Sequence, residues 1–323
     1  MRPPLAALGA TLRLDEVSRP PAPEVGPRFP IFNTENRGRA ISLFSDLFLH
    51  ATLPHSRPPS ASYLRQAANL TLELTASATT GLPFGRYPRL LIAWLTTIAA
   101  QSSSRTVSFH GSFGSFLGML GVAEGTRTRE ALRHQIQALF TTTYRVLLRS
   151  TAATRRDGYD WTVGTTFTLA DEHALWWHPG NASGGFQALL SEPFHRHLLE
   201  RRIPLDWNVL RRLQSPLAID IYTALCNWSG PDRRSDLAIP WAGDPDGADL
   251  VTRFGADYAS HDEFRRNFRL ALRKVLTFYP TARVVANDPK VFIVRPYPPH
   301  VAYLNRRLVV VPQELGPSPG SEP

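Results

Sequence analysis

Between residues 260 and 296 the hydrophobic period changes within a few positions from that of a helix to that of a hairpin. On a helical wheel anchored at Phe264, residues Phe268, Ala271, Leu272 and Val275 fall within about 80° of it at ~100° per residue. Arg265, Arg269, Arg273 and Arg266 occupy a separate arc, about 100° to 200° away on the same wheel. One face is therefore built for burial and the other to carry guanidinium groups. After Tyr279-Pro280 come two β-rich runs, 282–286 and 291–295, joined by Asn287-Asp288-Pro289-Lys290. Turn formers in such a linker predict a hairpin.

The bulk chemistry agrees with a partner of negative charge. The chain of 323 residues is long enough for two modest domains with cores of their own. Its net charge is +9 and its pI about 10.2, carried almost wholly by arginine, since Lys274 and Lys290 are the only lysines. Arginine offers bidentate recognition of phosphate and of guanine edges, so the charge points to nucleic acid. A genome rich in arginine codons would account for much of the Arg-over-Lys choice, but not for arginine exceeding acid. No apolar run reaches the ~18 residues of a membrane span, and the N-terminus lacks the apolar core of a secretory signal. A cytoplasmic protein with no membrane partner is expected, and the Asn-x-Ser/Thr matches at Asn69, Asn181 and Asn227 are then chance. The single cysteine, Cys226, excludes an internal disulfide and a multi-cysteine zinc site, and its apolar setting predicts burial.

Read along its length, the chain opens with a Pro/Ala/Arg-rich stretch to about residue 30 that cannot bury a core. A short helix is expected over residues 37–49, around Ile41, Phe44, Leu47 and Phe48, before a proline-rich break at 53–60. Leu70, Leu72 and Leu74 alternate as a strand. Residues 88–100 are apolar nearly all round, which predicts a buried helix with Pro88 in its first turn. A strand follows at 106–110, then a helix at 113–120 with Ser112 as N-cap and Gly121 as stop. The next helix, 126–140, buries Leu132, Ile136, Leu139 and Phe140 and turns Arg127, Arg133, His134 and Gln137 outward. Two strands, 142–149 and 159–169, then read as a hairpin with Arg155-Arg156-Asp157-Gly158 at its tip.

The second half repeats that order. Helices are expected at 206–213 and at 216–228, the latter with Ser215 as N-cap and Pro216 at N1. A strand at 239–241, a helix at 248–254 stopped by Gly255, and the basic helix and hairpin complete it. A short strand at 307–311 precedes the tail. The expected fold is α+β, with two winged-helix domains in tandem, mostly helical with short β-hairpin wings. Its division is a largely disordered arm (1–60), a first winged-helix domain for DNA binding and dimerisation (61–203), a second for DNA binding (204–300), and a tail (301–323).

Catalytic readings find little support. Neither lysine lies in a phosphate-cradling G-x-x-x-x-G-K-[ST] loop, and no G-x-G-x-x-G or G-x-S-x-G occurs. A metal-dependent nickase would need two histidines flanking an apolar residue on a strand. His195-Arg196-His197 has arginine in the middle and a helical context, where alternate residues diverge. Trp94, Trp176, Trp177, Trp207 and Trp241 lie in apolar surroundings that suit core positions better than base stacking. No enzyme, metal or cofactor is expected. The candidate DNA contacts are Arg265, Arg266 and Arg269 for bases or phosphates, with Arg273 on the backbone and Lys290 on the hairpin. Arg269 and Arg273 have no acidic residue three or four positions away to neutralise them. In the first domain the candidates are Arg127, Arg133, His134 and Gln137, sharing their face with Glu130, and Arg155 and Arg156 at the hairpin tip.

The run from Gly81 to Leu95 (GLPFGRYPRLLIAWL) resembles the signature opening of plasmid-encoded RepA replication initiators. Further matches keep that family's order. They are Leu53-Pro54-His55-Ser56, Phe116 to Gly121, Gln135 with Leu139-Phe140, Leu175-Trp176-Trp177, Ile203 to Asp206, Ser215 to Tyr222, Phe254-Gly255, and Phe264 through Pro280. The resemblance spans roughly residues 50 to 298. It implies a protein that binds repeated double-stranded DNA at a plasmid origin, helps open the adjacent duplex, and recruits the host replicative helicase or its loader. It also implies a first domain that serves a homodimer. This chain departs from the family pattern at Ile98, where an acid is usual, at Ala138, where arginine is usual, and at Thr223-Ala224-Leu225-Cys226, which replace a Trp-Leu and basic run. A transcriptional repressor built from the same domains is the alternative reading.

Overall fold

The computed structural model describes residues 29–32, 39–67, 69–77, 79–102, 104–150, 162–177, 184–229, 234–244, 247–255 and 258–301. Residues 40–53, assigned on sequence to the N-terminal arm, belong to the core. Strand β2 (Ala40–Ser45) lies between β1 (Ile31–Phe32) and β10 (Arg202–Asp206), antiparallel to both, and all six of its residues are buried. The helix expected over 37–49 is thus a strand followed by one helical turn, α1 (Leu47–His50). Ile41, Phe44, Leu47 and Phe48 mimic helical spacing. A strand covered on both faces, however, carries no alternation to betray it.

Strands β3 (Ser62–Ala67) and β4 (Leu70–Thr75) form an antiparallel pair on which β6 (Thr143–Arg149) and β7 (Thr162–Phe167) extend the sheet in the order β3-β4-β6-β7. Leu70, Leu72 and Leu74 form the buried row predicted for β4, facing Leu148, Val146 and Tyr144 of β6 across the ladder. Helix α2 (Arg86–Gln101) runs through the centre of the molecule, with every residue from Pro88 to Ala100 buried.

From α2 onward, two units share one order of elements. The first continues through β5 (Thr106–His110), α3 (Phe113–Leu120) and α4 (Thr126–Thr141), and closes with β8 (Ala170–Trp177) and β9 (Gly184–Leu190) in a sheet of order β5-β9-β8. A helix, α5 (Glu192–Glu200), and the short α6 (Trp207–Arg212) lead onward. The second unit comprises α7 (Pro216–Trp228), β11 (Leu237–Pro240), α8 (Leu250–Phe254), α9 (His261–Phe278), β12 (Val284–Val285) and β13 (Val291–Val294), with sheet order β11-β13-β12. In each unit the strand before the paired helices joins the last strand of the unit.

Two expectations need correction. The hairpin expected to close the first unit, β6 and β7, instead extends the β3-β4 sheet, and β8 with β9 closes the unit. Alternation marks a strand but not its partner. The apolar row of β4 needs a neighbour, and β6 supplies it. The molecule is also not mostly helical. Among the described residues, thirteen strands in four antiparallel sheets accompany nine helices.

The caps follow the sequence closely. The Ser112 hydroxyl accepts from Ser115 N at 3.0 Å and Gly121 ends α3 at φ 66°, a left-handed position open to glycine. Ser215 caps α7 with Pro216 in the first turn. The Ser260 hydroxyl accepts from Glu263 N at 3.2 Å at the start of α9.

Candidate nucleic-acid interface

Helix α9 buries the face its periodicity marks: Phe264, Phe268, Ala271, Leu272 and Val275 all lie in the core. Trp241, fully buried just after β11, forms the floor beneath it. Its ring meets Phe268 edge-on at 5.4 Å and Phe292 of β13 at 5.9 Å. Its indole N–H donates to Asp288 O at 2.9 Å, which ties the hairpin turn to the helix floor. The Asp288 carboxylate accepts from Lys290 N (2.8 Å) and Val291 N (3.0 Å), closing the turn locally. Those two backbone donors hold its pKa below the usual carboxylate value.

On this base the basic residues divide into two groups. The guanidinium groups of Arg265 and Arg269 lie over the Trp241 ring, 5.7 and 5.4 Å from its centroid, as cation–π contacts. Arg269 also donates through Nε to Ala286 O at 2.7 Å, bridging the helix to the hairpin. Arg265 has a distant acidic neighbour, Asp262, at 4.0 Å. Arg266, Arg273, Lys274 and Lys290 are exposed. Among the described residues no acidic side chain pairs with Arg266, Arg269, Arg273 or Lys274, while Lys290 lies close enough to the Asp288 carboxylate to help lower its pKa. An open groove lies between α9 and the hairpin, lined by Arg269, Arg273, Leu272, Leu276, Val284 and Asn287 among others.

The corresponding helix of the first unit, α4, is less purely basic. Arg127, Arg133 and Gln137 are exposed, and Glu130 shares their face. The Arg133 guanidinium leans over the Phe113 ring at 5.2 Å. His134 is half-buried, its Nδ1 3.3 Å from Gln135 Nε2. Arg129 pairs with Glu124. Arg155 and Arg156 lie outside the described residues.

His195 and His197, weighed on sequence as a metal pair, point apart on α5. His195 is buried, and His197 Nε2 meets the Asp46 carboxylate at 2.8 Å. Among the described residues no group of three or more His, Cys, Asp or Glu could hold a metal ion. None of the described helices is long and apolar enough to cross a membrane. Cys226 is buried, and burial pushes its thiol pKa well up. Trp94 and Trp207 are core residues, as Trp241 is.

Sequence reasoning missed a charged cluster at the heart of the molecule. Arg89 of α2 and Asp220 of α7, both almost wholly buried, form a bidentate pair: Nε to Oδ1 and Nη2 to Oδ2, each 2.7 Å. The remaining Arg89 N–H groups donate to Leu53 O (2.8 Å), Gly85 O (2.7 Å) and Pro54 O (3.3 Å), so every guanidinium proton has an acceptor. His55 Nε2 donates to the second carboxylate oxygen at 2.8 Å. Burial works to raise the Asp220 pKa, but the charge and hydrogen bonds of Arg89, joined by His55, hold it below the usual value. Burial pushes the His55 pKa down despite Asp220. The three segments that meet here are three of those carrying the family resemblance. Their recurrence in one motif set was the available signal; which residues touch was not readable.

The family model for plasmid-encoded RepA proteins matches residues 82–241, ending at Trp241 and before α9. No curated protein matches the sequence. Among solved structures, a crystal structure of RctB domains 2–3 aligns with a TM-score of 0.46 at 11% identity, covering 78% of this chain and 96% of that one. A selenomethionine derivative of RctB domains 2 and 3 aligns at 0.48 and 10% identity, with the same 78% and 96% coverage.

Proposed function

We propose that this chain, which the family model for plasmid-encoded RepA proteins matches over residues 82–241, initiates plasmid replication by binding repeated duplex sequences at the origin. The observation that carries the DNA-binding part is α9. Its outward arc of Arg266, Arg269 and Arg273 has no acidic partner among the described residues and is seated on a hairpin that ends in Lys290. The order helix, strand, helix, helix, hairpin, present in both units, supports reading each as a winged-helix domain. In this reading α9 enters a major groove, Arg265, Arg266 and Arg269 contact bases or phosphates, Arg273 lies on the backbone, and the hairpin follows a neighbouring strand. Helix α4, through Arg127, Arg133, His134 and Gln137, addresses a second groove about one helical turn away. Arg155 and Arg156 reach phosphates. The protein also self-associates as a homodimer through its first unit, helps open the adjacent duplex, and engages the host replicative helicase or its loader.

The test pairs binding with replication. Purified protein is titrated against duplex repeats from the region flanking its own gene and against a scrambled control, over a salt series. Site-specific recognition gives an affinity for the repeat that falls with salt yet stays well above the control. Equal, wholly salt-driven binding to both sinks the origin-recognition reading. A plasmid carrying the candidate origin is then followed with and without the protein supplied. Maintenance that depends on the protein supports the initiator; repeat binding with unchanged maintenance would instead mark a repressor.

A further inference from the structure

A helix lying in a major groove meets a phosphate strand on each flank. The groove is about 12 Å wide and a helix with its side chains about 10–12 Å across. On one flank of α9 stands the hairpin with Lys290. The polar arc does not stop at Arg273 and Arg266. It continues through Thr277 to Lys274, about 280° round the wheel from Phe264, on the flank away from Arg269 and its hairpin contact.

Lys274 there meets the turn between α6 and α7. Arg212, Gln214, Lys274 and Thr277 line one cavity of about 200 Å³. No carboxylate lines it, and both Arg212 and Lys274 are exposed. The neutral polar side chains are turned to the backbone: Gln214 Nε2 to Arg212 O at 3.4 Å, and Thr277 Oγ1 to Arg273 O at 3.1 Å. The cavity therefore offers two cations and no compensating charge, where the chain enters the second unit.

We propose that Arg212 and Lys274 form a phosphate seat, which grips the backbone of the duplex strand opposite the one that the hairpin follows. The inference rests on the reading of α9 as the groove-entering helix and adds to it a second backbone contact outside that helix's base-facing arc. A backbone contact is blind to sequence, whereas Arg266 and Arg269 face the bases. The seat thus adds affinity and fixes the tilt of α9 in the groove without adding to discrimination.

The experiment compares wild type with Arg212→Gln, Lys274→Gln and the double variant, on repeat and random duplexes over a salt series. Both residues are exposed, and an unchanged thermal melt establishes that the variants fold. The slope of log K against log salt should shrink by about 0.9 for each phosphate that a variant no longer neutralises. Affinity for the two duplexes should fall by the same factor, and Arg212→Lys should restore most of it. An unchanged slope overturns the seat, as does a selective loss of the repeat, which would make these residues base readers. Inorganic phosphate competing with DNA beyond its ionic strength, in wild type but not in the double variant, would reassign the seat to a free anion. If wild type does not prefer the repeat, the base-reading proposal fails while the slope still reports on the seat; if it binds no duplex, both fail.

Discussion

The Nε–H of Arg269 is held by the Ala286 carbonyl, and its guanidinium lies over Trp241. Its planar head is thus held at an angle set by the hairpin. Arg269→Ala is expected to cost about 1–3 kcal/mol in affinity for the repeat. Arg269→Lys should recover only the part that charge supplies, because an ammonium lacks the planar fork and stacks poorly. Fluorescence anisotropy on repeat and random duplexes measures both; an equal fall on the two would make Arg269 a backbone contact. At this scale the sequence exposed the absence of an acidic neighbour along the helix. It could not expose an acceptor seventeen residues away, because that hydrogen bond exists only once the hairpin has folded back.

Helix ends were legible because a cap is a local transaction between neighbouring residues: Ser112 and Ser215 cap the helices that they were expected to cap, and the structure adds Ser260 at the start of α9. Gly121 combines two constraints, one local and one not. Its φ of 66° strains any side chain, and a Cβ there would lie 2.9 Å from the Arg211 Cβ of α6. Gly121→Ala should therefore destabilise the fold by more than ~1 kcal/mol, read as a lower urea midpoint at unchanged slope; no shift would show that the α3–α6 packing gives way freely. Strands were less legible. β2 hid behind helical spacing, and β6 with β7 paired as expected while joining an unexpected sheet, with β7 exposed along most of its length. Period two assigns a face, and the partner is chosen by whichever apolar row remains uncovered.

The Arg89–Asp220–His55 cluster joins α2 and α7, the first helices of the two units, so it governs how the units sit on each other. Asp220→Ala leaves the Arg89 charge buried with its carbonyls alone and should destabilise by about 3–5 kcal/mol. Replacing both with apolar residues, Arg89→Met with Asp220→Leu, removes the unpaired charge but takes the hydrogen-bond partners away from the Leu53, Pro54 and Gly85 carbonyls and from His55, and should restore only part of that stability. Equilibrium urea unfolding tests both. An Asp220→Ala variant as stable as wild type would mean the cavity admits water. Stability should also fall on acidification. His50, His55, His173, His195 and His300 are held below the ordinary imidazole value chiefly by burial, His300 to about 4. As pH drops below about 6.5, the unfolded chain takes up protons that the folded one refuses, so the folded state loses ground until the folded pKa values are passed. The depressed Asp220 pKa extends the decline below about pH 4. A urea midpoint that declines from pH 7.5 to 4.5, with a shallower decline in His300→Asn, is the expected record; a flat profile would contradict it.

Helix faces, caps, the basic arc of α9 and the repeated order of elements were all written in the order of residues, because each depends on neighbours within a few turns of one another. The motifs by which the family is recognised lay there too. Folding in three dimensions was needed to settle which strands pair, that residues 40–53 enter the core, that Arg269 bridges to the hairpin, and that Arg89, Asp220 and His55 meet. Those outcomes turn on burying apolar surface and satisfying buried charge across long sequence separations, and a local period holds no record of either.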